Sequence, residues 1–546
     1  MKSEKCPTRS DFVRLVRLVG FVGFVGLIAS PLAIAIAMRE RSAQSDYAPE
    51  WWAVMAALSV SVGCIAAMTL LCRKAIGRTV ALAAMLAVAS ATAYEAVLGL
   101  CQIAGLSPSV HSMFRLTGTF YNPGPYGGYV AMGLPVGLSL YLGRSRWLKW
   151  VGFAVVMLAL VVLPASASRS AWVAGATGCA FVTVFHCRET AVAWLRRWWL
   201  PLTVGVLAAA VGAYMLKADS ANGRLLMWRI GLRACAAHPW GVGWHGVAGA
   251  YGEAQEAYFA SGAGTAGEIA VAGSPEYLFN EYLQIALAWG WLASLTFIAA
   301  LVTAVIGAVR ARLYGVGGAL LTFAVFSISS YPLQFPLFTA TVIMLIVSVA
   351  ASCCKNRRQS AALSGLCLII AAISGSTAVS QYDVAQTYSR WQQTRYFYRS
   401  SNHHAAIKAM KAFGDSLAWN PNFMFELGHS LSITGQYLES NRVLARAAKV
   451  CGDPMIYNLR GKNYQSLGDS DSALIEFQRA AHRLPNRMYP HYLMVRLAAG
   501  VSPVDTPLLR REARIVLDMP VKVMSPAVRE MRDSTQKLLD EILPAL

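Results

Sequence analysis

Between Leu18 and Val379 the chain is a succession of apolar runs separated by short basic loops, and the hydrocarbon of a bilayer, about 30 Å thick, is crossed by roughly 17–25 such residues in a helix. About eleven runs qualify, near residues 18–38, 51–71, 79–103, 125–143, 147–166, 171–187, 198–216, 280–309, 313–331, 335–353 and 361–379. Inside a bilayer the backbone must satisfy its own hydrogen bonds, so these runs predict helices. Only 14% of the 546 residues are charged, against about 25% in soluble domains. After Gln381 the pattern becomes polar and helical. The expected architecture is all-α, with a polytopic membrane domain over 1–380 and a second domain over 381–546.

A net charge of +20 raises the question of a nucleic-acid partner, and the positions of the charges answer it. Lysines and arginines gather in alternate loops: Lys2 to Arg17, Arg73 to Arg78, Arg144 to Lys149, Arg188 to Arg197, Arg310 with Arg312, and Lys355 to Arg358. This is the positive-inside pattern of membrane proteins, so the charge reports topology and no nucleic acid is called for. With the N-terminus cytoplasmic and an odd number of spans, the C-terminal domain lies outside the cytoplasm. No small-residue cleavage site follows the first run, which predicts an uncleaved first helix. The eleven cysteines fall mostly in helices or at cytoplasmic ends and give no disulfide framework. Cys235 and Cys451 alone share the outer side as a possible pair.

Two outer loops are long, Ile103 to Pro125 and about 217–278, and long loops between elements tend to carry function. Beyond Gln381, the segments Asn420 to Gly452 and Asp453 to Asn486 repeat at close to 34 residues, sharing a Gly turn, an Ala-rich second half and an Asn-Pro or Asp-Pro boundary. That spacing resembles tetratricopeptide repeats, paired helices stacked into a solenoid.

The outer side also displays Arg115 in "FRLTGTFYNPGPYGGY", Arg169 in "SASRSAW", and Arg224, Arg229 and Arg233 in the long loop. A single arginine at a helix end usually snorkels to headgroups. Several on the side that the positive-inside tendency disfavours point instead to an anion, because the guanidinium fork matches phosphate oxygens and stays charged at any relevant pH. The turn around Gly118, Tyr121 and Asn122 offers close backbone approach; the competing reading makes it a re-entrant turn anchored by Tyr121, Tyr126 and Tyr129.

Taken in order, "RLTGTFYNPGPYGGY", "SASRSAW", "GRLLMWRIGLRACAAHPWGVGW" and "FNEYLQIALAWG" resemble the O-antigen ligase and polymerase superfamily, in a version with C-terminal tetratricopeptide repeats. The resemblance implies a GT-C-like membrane glycosyltransferase of the bacterial inner membrane. Such an enzyme works on the periplasmic face without metal or cofactor and moves a glycan from undecaprenyl pyrophosphate to a hydroxyl on lipid A core, a growing glycan or a protein. Arg169 and Arg224 would bind the pyrophosphate and stabilise it as it leaves, with Arg115, Gly118, Tyr121, Asn122, Arg229 and Asn280 lining the substrate. Where many relatives have His-Asn this chain has Phe279-Asn280, so the family's base is absent. Glu281 is the nearest substitute, a carboxylate at a helix entrance, with helix capping as its structural alternative. His238 and His245 follow as further candidates. Within the enzyme class a polymerase or a protein O-oligosaccharyltransferase fits the same motifs. A transporter for the lipid-linked glycan is disfavoured by the lack of matching halves, and a scaffold centred on the repeats, binding a protein partner, is the third reading.

Overall fold

The computed structural model describes residues 9–38, 51–71, 76–109, 111–190, 193, 196–198, 201, 218–521 and 523–542, and among these there is no strand. Contacts divide the chain into one unit of Met1–Ala213 with Leu295–Ala385 and another of Tyr214–Ser294 with Gln386–Leu546. The long loop near 217–278 is thus grouped with the C-terminal segment, and the expected boundary after residue 380 falls inside one continuous helix.

The first unit contains α1 (Arg9–Ala37), α2 (Trp51–Leu71), α3 (Ile76–Ile103), α4 (Pro123–Tyr141), α5 (Arg146–Ala165) and α6 (Arg169–His186). The loop supplies α7 (Ala218–Ala237), α8 (Val247–Ala260) and α9 (Ala266–Val271); then come α10 (Glu281–Trp289), α11 (Trp291–Arg310), α12 (Tyr314–Ser327), α13 (Pro336–Cys353) and α14 (Arg357–Arg399). Seven helices among the described residues, α1, α2, α3, α5, α11, α13 and α14, are long and apolar enough to cross a membrane. The chain is therefore a multi-pass helical membrane protein.

Of the eleven expected runs, the one near 198–216 lies mostly outside the described residues and four differ. The run near 313–331 forms α12, a shorter apolar helix of 14 residues. Helix α4 is rich in Gly and Pro because it is interior: the run from Pro125 to Gly137 is buried against α5, α6 and α12, so it faces protein rather than lipid. Helix α6 starts with Arg169 and likewise packs on α4 and α12. The run read as one span over 280–309 breaks at Gly290, whose φ of +88° is left-handed and whose position admits no Cβ, which would sit 2.9 Å from the Pro239 carbonyl.

Opposite ends of the membrane unit differ in chemistry. The start of α3 beside Arg78 packs against the end of α13 at Ala351, and the start of α12 meets Ser139 and Phe185. These contacts bring the basic loops 144–149, 310–312 and 355–358 to one end of the helices. At the other end Phe120 packs edge-on against Phe335 at 5.3 Å, and Arg115 and Arg169 lie there.

After α14 the second unit continues through α15 (His403–Lys411), α16 (Pro421–Ile433), α17 (Tyr437–Ala447), α18 (Met455–Ser466), α19 (Ser470–Arg483), α20 (Met488–Gly500), α21 (Thr506–Asp518) and α22 (Pro526–Ile542). Each packs chiefly on its neighbours in sequence. Asn420 and Asp469 cap α16 and α19 by accepting the Phe423 and Ser472 N–H groups. Gly435 and Gly468, at φ of +79° and +81°, turn α16 into α17 and α18 into α19.

Candidate functional site

In the membrane unit the segment before α4 is held by two polar residues of α3 that are buried among apolar helices. Gln102 accepts the Thr117 and Gly118 N–H groups at 2.9 and 2.7 Å, and its own amide donates to the Gly118 carbonyl at 3.1 Å. Glu95, fully buried, accepts the Thr119 N–H at 3.0 Å and the Thr119 hydroxyl. Gly118 has φ +57°, and a Cβ there would overlap the Glu95 carboxylate and approach Tyr126 Cε2 to 2.7 Å. Its N–H is therefore spent on α3, which corrects the expectation that this turn aims its backbone donors at a ligand. Asn122 caps α4 through the Gly124 N–H at 2.8 Å.

The competing anchor reading is corrected in part. Tyr126 and Tyr129 are buried to 0% and 1% exposure, in the helix core rather than at an interface. Tyr121 is exposed, its ring 4.7 Å from His111, which also meets Phe114 at 4.6 Å. Arg115 emerges beside these rings, exposed and with no ion pair among the described residues.

Arg169 opens α6 just after Ala167, which holds a left-handed φ of +49°. Ser168, the residue before the helix, makes no side-chain cap to the first turn and turns its hydroxyl to the Gly124 carbonyl at 3.5 Å. Gly127 permits that approach, since a Cβ would lie 2.7 Å from Ser166 Oγ. Two helix N-termini, those of α4 and α6, thus pack together with an arginine on one of them. The start of α4 has no donor to spare, since Pro123 and Pro125 carry no N–H and Asn122 takes that of Gly124; the N-terminus of α6 with its guanidinium is the end that favours an anion.

In the second unit Arg224 on α7 stacks its guanidinium over the Phe279 ring at 5.6 Å. Phe279 adopts φ +50°, an outlier for a bulky residue that points to a constrained site. Trp228 Nε1 reaches the Phe279 carbonyl at 3.4 Å, and Asn280 caps α10 by accepting the Leu283 N–H at 3.1 Å. Glu281 follows as the first residue of α10 and is fully buried. Arg224, Phe279, Asn280 and Glu281 are therefore gathered where α7 meets the start of α10.

Arg229 and His238 do not join that group. Arg229 pairs with Glu268 and donates to the Tyr258 hydroxyl at 3.3 Å, so its charge is already answered within the loop. The Thr265 N–H, with the Tyr258 hydroxyl and Arg229 adding to it, holds the Glu268 carboxyl below the usual carboxylate range. His238 ends α7 and leads into a turn whose Val242 and Gly243 N–H groups bond the Leu287 and Ala288 carbonyls, both at 2.9 Å. Leu287 lies about 9 Å along α10 from Glu281 at about 1.5 Å per residue. The turn thus braces the far end of α10. His245 packs on Trp419, with ring centroids 5.0 Å apart.

Cys235 and Cys451 are both free thiols. Burial pushes each up to about 11, so both stay protonated at neutral pH. Glu95 and Gln102 hold the turn before α4, and the sequence signal for them is a lone carboxylate inside an apolar span.

Among known proteins, residues 154–298 match the family model described as O-Antigen ligase. No curated protein and no solved structure matches the chain. The matched segment contains Arg169, Arg224, Arg229, His238, Asn280 and Glu281, whereas Arg115, Gly118, Tyr121 and Asn122 precede it. The match supports the resemblance to the O-antigen ligase superfamily and, with the membrane-spanning helices, a ligase- or polymerase-like membrane protein.

Proposed function

We propose that this protein is a glycosyltransferase that transfers a glycan from undecaprenyl pyrophosphate to a hydroxyl acceptor at the periplasmic face of the inner membrane. The observation that carries the reading is Arg169, at the N-terminus of a membrane-unit helix, away from the basic loops and inside the segment that matches the O-antigen ligase family. Its fork and the N-terminus of α6 would take the negative charge that grows on the diphosphate as the sugar–phosphate bond breaks. Arg115, at the same end of that unit, would add a second charge. Arg224 is assigned to the diphosphate by the resemblance, and its guanidinium lies over the Phe279 ring.

Glu281 is proposed to accept the acceptor's proton, replacing the histidine that Phe279 displaces. The reaction so written needs no metal, because arginines take the part that a divalent cation plays at other phosphate sites. The helix pairs from α16 to α21 are read as tetratricopeptide repeats, with Gly435 and Gly468 at equivalent turns.

Deletion of the gene tests the reading, with lipopolysaccharide, capsule and glycoproteins compared in the same cells. One of these should lose its glycan while the lipid-linked donor accumulates, and wild type but not Arg169→Ala should restore it. Unchanged glycoconjugates in all three fractions would dismiss the proposal.

A further inference from the structure

The C-terminal helices also form the seat of the long loop. Helix α8 of the loop packs on α19 of the C-terminal segment. Glu256 on α8 places one carboxylate oxygen 2.8 Å from Arg479 Nε and the other 2.8 Å from Arg483 Nε. The Arg483 side chain is fully buried, and its terminal nitrogens find no acceptor among the described residues. Glu256 is thus the carboxylate that directly answers this charge. Both guanidiniums stack on the Tyr457 ring, at 4.6 Å for Arg479 and 4.3 Å for Arg483.

The same junction reaches the backbone. Gln255 donates to the Arg483 and Gly273 carbonyls, Asn486 donates to the Ala272 carbonyl at 2.9 Å, and Leu484 is buried in one core with Leu226 and Leu278 of the loop. From Glu256 the path to the reacting group is short. Two residues on, Tyr258 carries Arg233 over its ring at 4.6 Å and bonds Arg229 with its hydroxyl. Both arginines belong to α7, the helix that presents Arg224 to Phe279.

We infer that Glu256 is a positioning residue: by locking α8 onto Arg479 and Arg483 it fixes α7, and so sets where Arg224 points in the transfer reaction. Part of the C-terminal array is on this view an internal foundation for the loop, and the α19 face is occupied by the chain itself rather than open to a partner. Removing one member of a buried pair leaves the other charge uncompensated, so the lock is sensitive to small changes. This inference rests on the proposed glycan transfer for its kinetic arm only.

The test uses the full chain in nanodiscs and compares wild type with Glu256→Gln and Glu256→Asp by transfer kinetics and by hydrogen exchange of the α7 amides. Glu256→Gln should lower kcat at least ten-fold with the donor KM within two-fold, and the α7 amides should exchange at least ten-fold faster. Glu256→Asp, which restores the charge one methylene short, should recover part of both. Glu256→Gln with wild-type kcat, or with slowed transfer but unchanged α7 exchange, would overturn the inference. Should Glu256→Gln fail to fold, Arg479→Gln, which leaves the buried Arg483 paired, is read by the same criteria with smaller effects. A wild-type protein that transfers no glycan would end the proposed function instead, and the exchange arm alone would then decide this inference.

Discussion

Replacing Gly118 by Ala separates a structural turn from a binding arginine. The new Cβ would overlap the Glu95 carboxylate and stand 2.7 Å from Tyr126 Cε2, both on the packed interior side. Holding Ala at φ +57° costs about 1–2 kcal/mol. Relieving the overlap pulls Glu95 off the Thr119 N–H, and leaving such buried groups unpaired costs about 1–3 kcal/mol. Together these amount to roughly 2–5 kcal/mol, enough to loosen the segment before α4 and lower the thermal midpoint of the detergent-solubilised protein. Transfer should fall because the segment carrying Arg115 is no longer held. Arg115→Ala is the control: exposed and without an ion pair among the described residues, it should leave the midpoint unchanged and lower turnover about ten-fold, within the range for removal of one charge-stabilising group. A Gly118→Ala protein with a wild-type midpoint would refute the reasoning about the turn, and Arg115→Ala with full turnover would refute the role of the arginine.

Arg169→Lys keeps the charge but loses the fork, and it should lose most transfer while still inserting in the membrane; undiminished transfer would remove Arg169 from the site. In the loop, Arg229→Gln should keep transfer within a few-fold because its partners are Glu268 and Tyr258, whereas Arg224→Gln should abolish it, and equal losses in kinetic assays of the two would contradict the separation. Glu281→Gln should lower kcat about 100-fold, in the range of a lost general base, and a pH–rate profile unchanged in its acid limb would exclude Glu281 as that base. A reporter fused after Gln381 should be active only on the periplasmic side, and cytoplasmic activity would invert the topology.

Hydropathy and loop charge revealed the membrane helices because both act locally along the chain. They did not reveal the break at Gly290, since "LQIALAWGWLASL" is apolar on both sides of it and the cause is contact with Pro239, 51 residues earlier in the chain. Helix α14 ran on to Arg399 for a local reason that was available: neither Gly nor Pro interrupts residues 376–399. Asn122 and Asn280 are expected from the sequence to line the substrate, and the structure makes both of them helix caps. Arg229 and Arg224 lie five residues apart on one helix, and only tertiary packing gives the first Glu268 and sets the second over Phe279. The Glu256–Arg483 pair joins residues 227 apart, a separation that no motif or periodicity signals. The 34-residue repeat announced helix pairs, but not that one of them seats the loop.

Glycan transfer is followed at the donor's sugar–phosphate bond, with the purified protein in liposomes supplied with glycan-loaded undecaprenyl pyrophosphate and a hydroxyl acceptor. The account predicts that wild type releases undecaprenyl pyrophosphate in step with acceptor glycosylation and that Arg169→Ala and Arg224→Ala release none. Donor that crosses the bilayer intact, or stays uncleaved beside every acceptor class while the protein remains folded, would contradict it.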